Sequence, residues 1–306
     1  MKLLKQIVRA FALKFIPDVI ARLDRLEAEK TTLRYIVNEV LDIKRFPRAN
    51  GDLRLIQLGD VALLKLIKGL FANAGIRYWI HSGTLLGAVR HNGFIPWDDD
   101  TDIGVFREDY DRIITCFRQN LAPEMYSFVR SNCIRLILRG TPCQVDIFPF
   151  DAYGVASVDS EEIGQLKFKI GKANRQNIVT NWERLQTDGH VIENLTENEI
   201  AAYARRFAAT FRGPCKIYAA GVEVSDSPSC VLPEDRLLPF GEVIFEGETF
   251  AAPRDVAYTL RAQYGEYMKF PRVIYPHCDI HRRMKDGSHE RILELLSREG
   301  VADDRE

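Results

Sequence analysis

Apolar and polar positions in the first fifty residues follow a helical period. Lys2, Lys5 and Arg9 fall on one face, with Leu4, Ile7, Phe11 and Phe15 roughly opposite, the pattern of an amphipathic helix. Beyond Pro17, Val19, Leu23, Leu26, Lys30, Leu33, Val37 and Val40 step alternately by four and three, a heptad seam broken at Lys30. The first stretch reads either as a foot lying in the plane of a membrane or as a helix packed on protein. The seam reads either as a coiled coil joining copies of the chain or as a helix lying along its own domain. Peripheral membrane contact through residues 1–16 and a homo-oligomer through residues 19–40 are therefore expectations. Arg45 to Gly51 carries Pro, Asn and Gly and reads as a linker.

From Asp52 the periods alternate as in an α/β domain. Leu55, Leu58, Val61, Ala62, Leu66 and Leu70 predict a helix ending near Gly75. Ile76 to His81 predicts a strand, Gly83 to Arg90 a turn into a short helix, Asp102 to Phe106 a strand and Asp109 to Phe117 a helix. Ile134 to Leu138 and Gln144 to Phe148 predict two more strands, residues 157–211 a mostly helical middle capped by residues such as Thr196, Val243 to Phe250 a hairpin turning at Glu246-Gly247, and Asp255 to Tyr264 a helix. The chain thus divides into helices over 1–50, a catalytic domain over 51–295 and an acidic tail over 296–306, expected to fray after Gly300.

Composition narrows the classes. Over 306 residues, hydrophobic positions make up 46% and charged ones 28%, with 42 Lys+Arg against 43 Asp+Glu. This is ordinary globular usage, long enough for a sizeable core, and its balanced charge gives no ground for nucleic-acid binding. No apolar run spans a bilayer, and Lys5, Arg9 and Lys14 interrupt the only signal-like stretch. Cys116, Cys133, Cys143, Cys215, Cys230 and Cys278 form no C-x-x-C pair. They read as reduced thiols, and the location expected is cytoplasmic.

The chemistry concentrates between Ile80 and Ile113. A strand ends at Ser82-Gly83-Thr84 and a helix begins; unpaired N–H groups at such a turn favour an anion, most often phosphate. Four aspartates follow, Asp98, Asp99, Asp100 and Asp102. Asp100 and Asp102 flank Thr101 at the beginning of a strand, so both point to one face. Two carboxylates side by side repel, and a hard cation such as Mg²⁺ (or Mn²⁺) offsets that repulsion. Asp146, in the alternating run Cys143 to Phe148, supplies a third acid if its strand lies alongside. Three acids facing a phosphate-cradling turn make a metal-dependent phosphoryl-transfer site, with all three as metal and catalytic residues. Acidic clusters are usually solvated loops; the Gly-Thr turn and the flanking apolar runs, Phe94 to Trp97 and Ile103 to Val105, set this one apart.

The string SGTLLGAVRHNGFIPWDDDTDIGV, residues 82–105, resembles the signature of the LicD family, which includes bacterial phosphocholine transferases and the animal fukutin and fukutin-related proteins. The likeness extends to Leu55-Ile56-Gln57, Arg107 to Tyr110, Val145 to Pro149, and an echo at Phe245 to Gly247 and Tyr264 to Met268. It implies an α/β (α+β) fold: a nucleotidyltransferase-like mixed sheet flanked by helices, here preceded by the amphipathic and coiled-coil helical segment. It also implies transfer of a phospho-alcohol, phosphocholine by default, from a CDP-alcohol donor to a hydroxyl of a cell-surface glycan of lipopolysaccharide, capsule or teichoic acid type, which could be lipid-linked. Ribitol, glycerol and ethanolamine fit the same chemistry. By the resemblance, Asp100, Asp102 and Asp146 form the acid set, and Gly83 and Thr84 line the donor diphosphate. His81 and Ser82 depart from the pattern, since many members carry a second glycine there.

Arg90 and His91, just past the turn, are candidates for the donor phosphates. Trp97 reads as a base or cation platform or as a loop anchor. Lys269, His277 and His281 are candidate donor or acceptor contacts, and His277-Cys278-x-x-His281 would hold zinc if Cys215 or Cys230 joined it. Two other functions stay open: a nucleotidyltransferase that releases pyrophosphate, and a non-catalytic scaffold for glycan assembly.

Overall fold

The computed structural model describes residues 22, 24–33, 35–37, 41–130, 133–188, 199–224, 230–271 and 284–305. The amphipathic stretch 1–16, Thr196, Cys278, His277 and His281 lie outside them. The chain forms two compact units, one of 1–46 with 268–272, the other of 47–267 with 273–306.

In the first unit residues 24–33 are helical, and a 3₁₀ turn at Ile43–Arg45 is capped by Asp42, whose carboxylate accepts the Lys44 N–H at 3.0 Å. Two seam positions of the heptad pattern, Leu26 and Leu33, are exposed. Phe46 meets Phe270 edge-on at 5.9 Å, and Lys269 belongs to this unit.

The second unit begins with α1 (Gly51–Ala74), closed by Gly75 in the left-handed region. Then follow β1 (Tyr78–Ile80), α2 (Ser82–His91), β2 (Thr101–Phe106), α3 (Arg107–Asn120), β3 (Tyr126–Arg130), β4 (Ile134–Leu138) and β5 (Gln144–Val155). The remainder comprises α4 (Ser160–Asp188), α5 (Glu199–Ala208), β6 (Cys215–Ala220), β7 (Val231–Pro233), α6 (Glu234–Leu237), the hairpin β8 (Gly241–Phe245) and β9 (Glu248–Ala252), α7 (Val256–Tyr264) and α8 (Ser288–Glu299).

The main sheet has seven strands in the order β1-β2-β5-β4-β3, with β6 pairing β5 and β7 pairing β6. β2 and β5 run parallel and the other pairs antiparallel, so the sheet is mixed. The long strand β5 carries β2 along one edge and β4, then β6, along the other. That places Asp102 opposite Asp146 on one side and Arg135 opposite Asp146 on the other. Opposed residues on paired strands share a face, so register alone puts the three side chains in one row.

The principal core is built by α1, α3 and α8 against β1, β2, β4 and β5, from Leu55, Ile56, Leu63, Phe71, Ile103, Phe117, Ile147, Ile292 and Leu295. α4 and α5 cover the far end of β5 through Leu166, Ile170, Ala204 and Tyr153. Trp79, Phe106, Phe150, Tyr218 and Leu232 form a third, aromatic cluster.

Two expectations change. α8 continues to Glu299 and so includes the first residues assigned to the acidic tail. The stretch after Gly300 is held at Asp304, which accepts from Nε and Nη2 of the buried Arg54 at 2.7 and 2.8 Å. A buried guanidinium needs more than one carboxylate oxygen, and the tail supplies two.

Candidate active site

α2 enters the sheet at its N-terminus. The His81 N–H donates to the Asp102 carbonyl at 2.9 Å, and the Asp102 N–H donates to Thr84 Oγ1 at 2.7 Å. The Gly83 N–H donates to the Asp102 carboxylate. The Gly83-Thr84 turn therefore packs against Asp102, Thr84 on its backbone N–H and Gly83 on its carboxyl group. Two glycines permit the approach. A Cβ at Gly83 would stand 2.7 Å from Asp98 Oδ2, and one at Gly87 would collide with the Gly93 carbonyl, where the acid loop folds back on α2. Ser82 sits at φ +44, in the left-handed region, which explains why glycine suits this position. Its hydroxyl accepts from Gln263 Nε2 at 2.8 Å.

The loop between α2 and β2 is tied at both ends. Glu246, at the β8–β9 turn, accepts the Phe94 N–H at 2.9 Å and takes Arg54 through both oxygens at 3.1 and 2.7 Å. Gln57 Nε2 donates to the Asp98 carbonyl at 2.8 Å. These bonds set the direction in which the aspartates leave the loop.

Among the described residues, two sets of carboxylates bring oxygens within 4.8 Å of one another: Asp98, Asp99 and Asp100, and Asp100, Asp102 and Asp146. Asp100 belongs to both. The three acids read from the sequence thus converge. Burial, then Asp100 and Asp146, push Asp102 well above the usual carboxylate range, and burial, then Asp100 and Asp99, do the same to Asp98. An all-oxygen set under such mutual repulsion fits a hard divalent cation. Beside it, Asp60 of α1 is fully buried; its Oδ1 accepts the Gln144 N–H at 2.7 Å and its Oδ2 has no partner.

Arg90 is buried, with Nη1 on the Tyr267 carbonyl at 3.1 Å and its guanidinium 5.9 Å from the Trp97 ring centroid. Burial pulls it down to about 10, while Tyr264 and Asp98 draw it back up. Its Nε lies 3.5 Å from His91 Nδ1. Trp97 packs half-buried on the core and under Arg90. Lys269 lies in the other unit, and the described metal-ligand groups include neither Cys215 nor Cys230.

The sequence did not single out Asp60, Arg135 or Tyr264. Arg135 grips Asp146 through both oxygens, Nε to Oδ1 and Nη2 to Oδ2 at 2.5 Å each. Burial, then the charges of Asp102 and Asp98, push the Tyr264 hydroxyl up. An acid inside the otherwise buried run Leu55 to Leu64 was the available signal for Asp60; for Arg135 the signal lies in strand register and not in spacing.

A three-acid site at paired parallel strands, fronted by a helix N-terminus, defines a nucleotidyltransferase-like domain. Residues 75–162, which hold all of Gly83, Thr84, Arg90, Arg135 and the acid set, match the family model described as LicD/FKTN/FKRP, nucleotidyltransferase domain. Over that segment the chain is similar to the LicD family. It is 40% identical over 92 residues to an uncharacterized protein of Rickettsia typhi, RT0683. It is 42% identical over 67 residues to the lipopolysaccharide cholinephosphotransferase LicD of Haemophilus influenzae, and 49% over 45 residues to the ribitol 5-phosphate transferase FKRP of Homo sapiens. These matches cover 28%, 22% and 15% of this chain and 28%, 25% and 9% of the relatives.

Proposed function

We propose that this chain is a divalent-cation-dependent transferase that moves a phospho-alcohol from a CDP-alcohol to a hydroxyl of a cell-surface glycan, with CMP as leaving group. The observation that carries the reading is the convergence of Asp100, Asp102 and Asp146 on one point before the N-terminus of α2. Mg²⁺ or Mn²⁺ held by those three acids would neutralise charge on the transferring phosphoryl group. The chain's own groups do the positioning. Gly83 and Thr84 fix Asp102 and, with the first turn of α2, face the donor phosphates. Arg90 adds positive charge beside Asp98. Asp146 completes the ion's set.

Phosphocholine is the first alcohol to test, and ribitol, suited by the FKRP match, is the second; glycerol and ethanolamine follow. No described helix is long and apolar enough to cross a membrane, and the basic, amphipathic stretch 1–16 suits contact with a membrane that presents a lipid-linked acceptor.

The test is incubation of the purified chain with a panel of CDP-alcohols and Mg²⁺, reading nucleotide products. CMP release from one donor, absent in Asp100→Asn/Asp102→Asn, is the expected result. Pyrophosphate release from a nucleoside triphosphate would point instead to nucleotidyl transfer. Glycan modification that persists in the folded double variant would leave a scaffold role.

A further inference from the structure

Arg135 brings a positive charge into the row of candidate functional side chains. It stands on β4 directly opposite Asp146, which stands directly opposite Asp102 on β2. Neighbouring strands lie ~4.8 Å apart, so the guanidinium is one strand beyond the third acid. It holds both Asp146 oxygens at 2.5 Å, and Asp100 also attracts it. The Arg135 side chain is 41% exposed, whereas Asp146 is buried. It can therefore turn from the carboxylate toward an anion arriving from solvent, and the carboxylate cannot follow.

We propose that Arg135 couples the two ligands of the site, making divalent-cation binding conditional on a diphosphate-bearing donor. This rests on the metal-site reading above. With no donor present, Arg135 neutralises Asp146, and its charge repels a cation arriving at the acid set. A nucleoside diphosphate brings new anionic oxygens to the same row. Arg135 then donates its fork to a phosphate oxygen, the geometry guanidinium prefers, and Asp146 is freed for the ion. Cation and donor thus favour each other's binding, and linkage requires the effect to be reciprocal. A LicD-type site built this way binds free cation weakly and is loaded fully only with the donor.

The measurement is Mn²⁺ binding by electron paramagnetic resonance, with and without CDP, corrected for the Mn²⁺–CDP complex formed in solution. In wild type, CDP tightens Mn²⁺ binding. In Arg135→Gln, Mn²⁺ binds the CDP-free protein about tenfold more tightly, and CDP adds correspondingly less, a coupling of ordinary allosteric size. Arg135→Lys retains the charge and keeps the CDP-free affinity close to wild type, which a merely structural role for the fork would not do. Unchanged or weaker CDP-free binding in Arg135→Gln would overturn the proposal and leave Arg135 as a positioning residue for Asp146. If neither wild type nor Arg135→Gln binds Mn²⁺, with or without CDP, the metal-site reading fails and this inference goes with it. Asp102→Asn, in which Mn²⁺ binding is lost, confirms that the signal comes from this site.

Discussion

At Asp60 a negative charge would have one oxygen on the Gln144 N–H and the other on nothing, with Asp100, Asp99 and Asp146 nearby. Burial first, then those three acids, push the group well above the usual carboxylate range. Asp60→Asn keeps an acceptor for Gln144 and turns the orphan oxygen into a donor facing carboxylates. The variant is expected to be more stable than wild type by about 1–3 kcal/mol at neutral pH without metal, measured by urea unfolding in EDTA. Gly83→Ala carries the opposite expectation: its Cβ lands 2.7 Å from Asp98 Oδ2, displacing an acid while the core stays intact. CMP release should fall about 10²-fold with little change in melting temperature. Asp102 and Asp146 were legible in the sequence because strand alternation fixes the face on which each acid projects, and Asp100, one residue before β2, by its closeness to Asp102 along the chain. Asp60 and Arg135 were not, because each reaches the site through an element whose neighbour only the folded sheet decides.

Elements hold the site through two buried ion clusters. Arg107, the first residue of α3, pairs in bidentate fashion with Asp151 of β5 at 2.8 Å and with Glu223, in the turn after β6, at 2.6 and 2.9 Å. Arg107→Ala leaves two buried carboxylates facing each other, and a loss of about 3–5 kcal/mol in chemical denaturation is expected. Glu246 has the second cluster and also the acid loop. Glu246→Ala takes the buried carboxylate from Arg54, leaving it on the half-exposed Asp304 and on Gln57, and frees the Phe94 N–H. Faster hydrogen exchange at Phe94 and a loss of about 3 kcal/mol should accompany reduced CMP release. Most elements that bear the site stood in the hydrophobic periodicity: α1, β2, the first half of β5, the β8–β9 hairpin and α7 lie within a few residues of expectation. The expected strand stopped at Phe148, before Pro149 and Asp151, yet β5 runs to Val155. Asp151 is tolerated in a central strand because Arg107 neutralises it, a partner 44 residues away that no local window contains. The strands β3, β6 and β7 and the helix α8 also lay outside the sequence expectation.

Within the second unit, opposed pKa shifts make stability a probe of the metal. Asp60, Asp98 and Asp102 are all pushed above the usual carboxylate range. Each binds its proton more tightly folded than unfolded. Their stabilisation is therefore full below about pH 4, the unfolded carboxylate value, and is lost as pH rises through their folded pKa values. Asp255 and Asp304 are held low by their hydrogen bonds and act in reverse, losing stabilisation on acidification. So does His81, which burial pulls down to about 4, as pH falls below its unfolded value. The difference between wild type and Asp60→Asn cancels these opposing groups. That difference should grow with pH above about 4 in EDTA and be read in paired unfolding curves. A divalent cation bound as proposed would take the place of the protons on the acid set, so its stabilisation should also grow with pH. At one hundred times its dissociation constant it should reach about 2.7 kcal/mol. A melting temperature that ignores Mg²⁺ and Mn²⁺ across that range, in the presence of CDP, would mean that the acids repel one another with no ion to offset them.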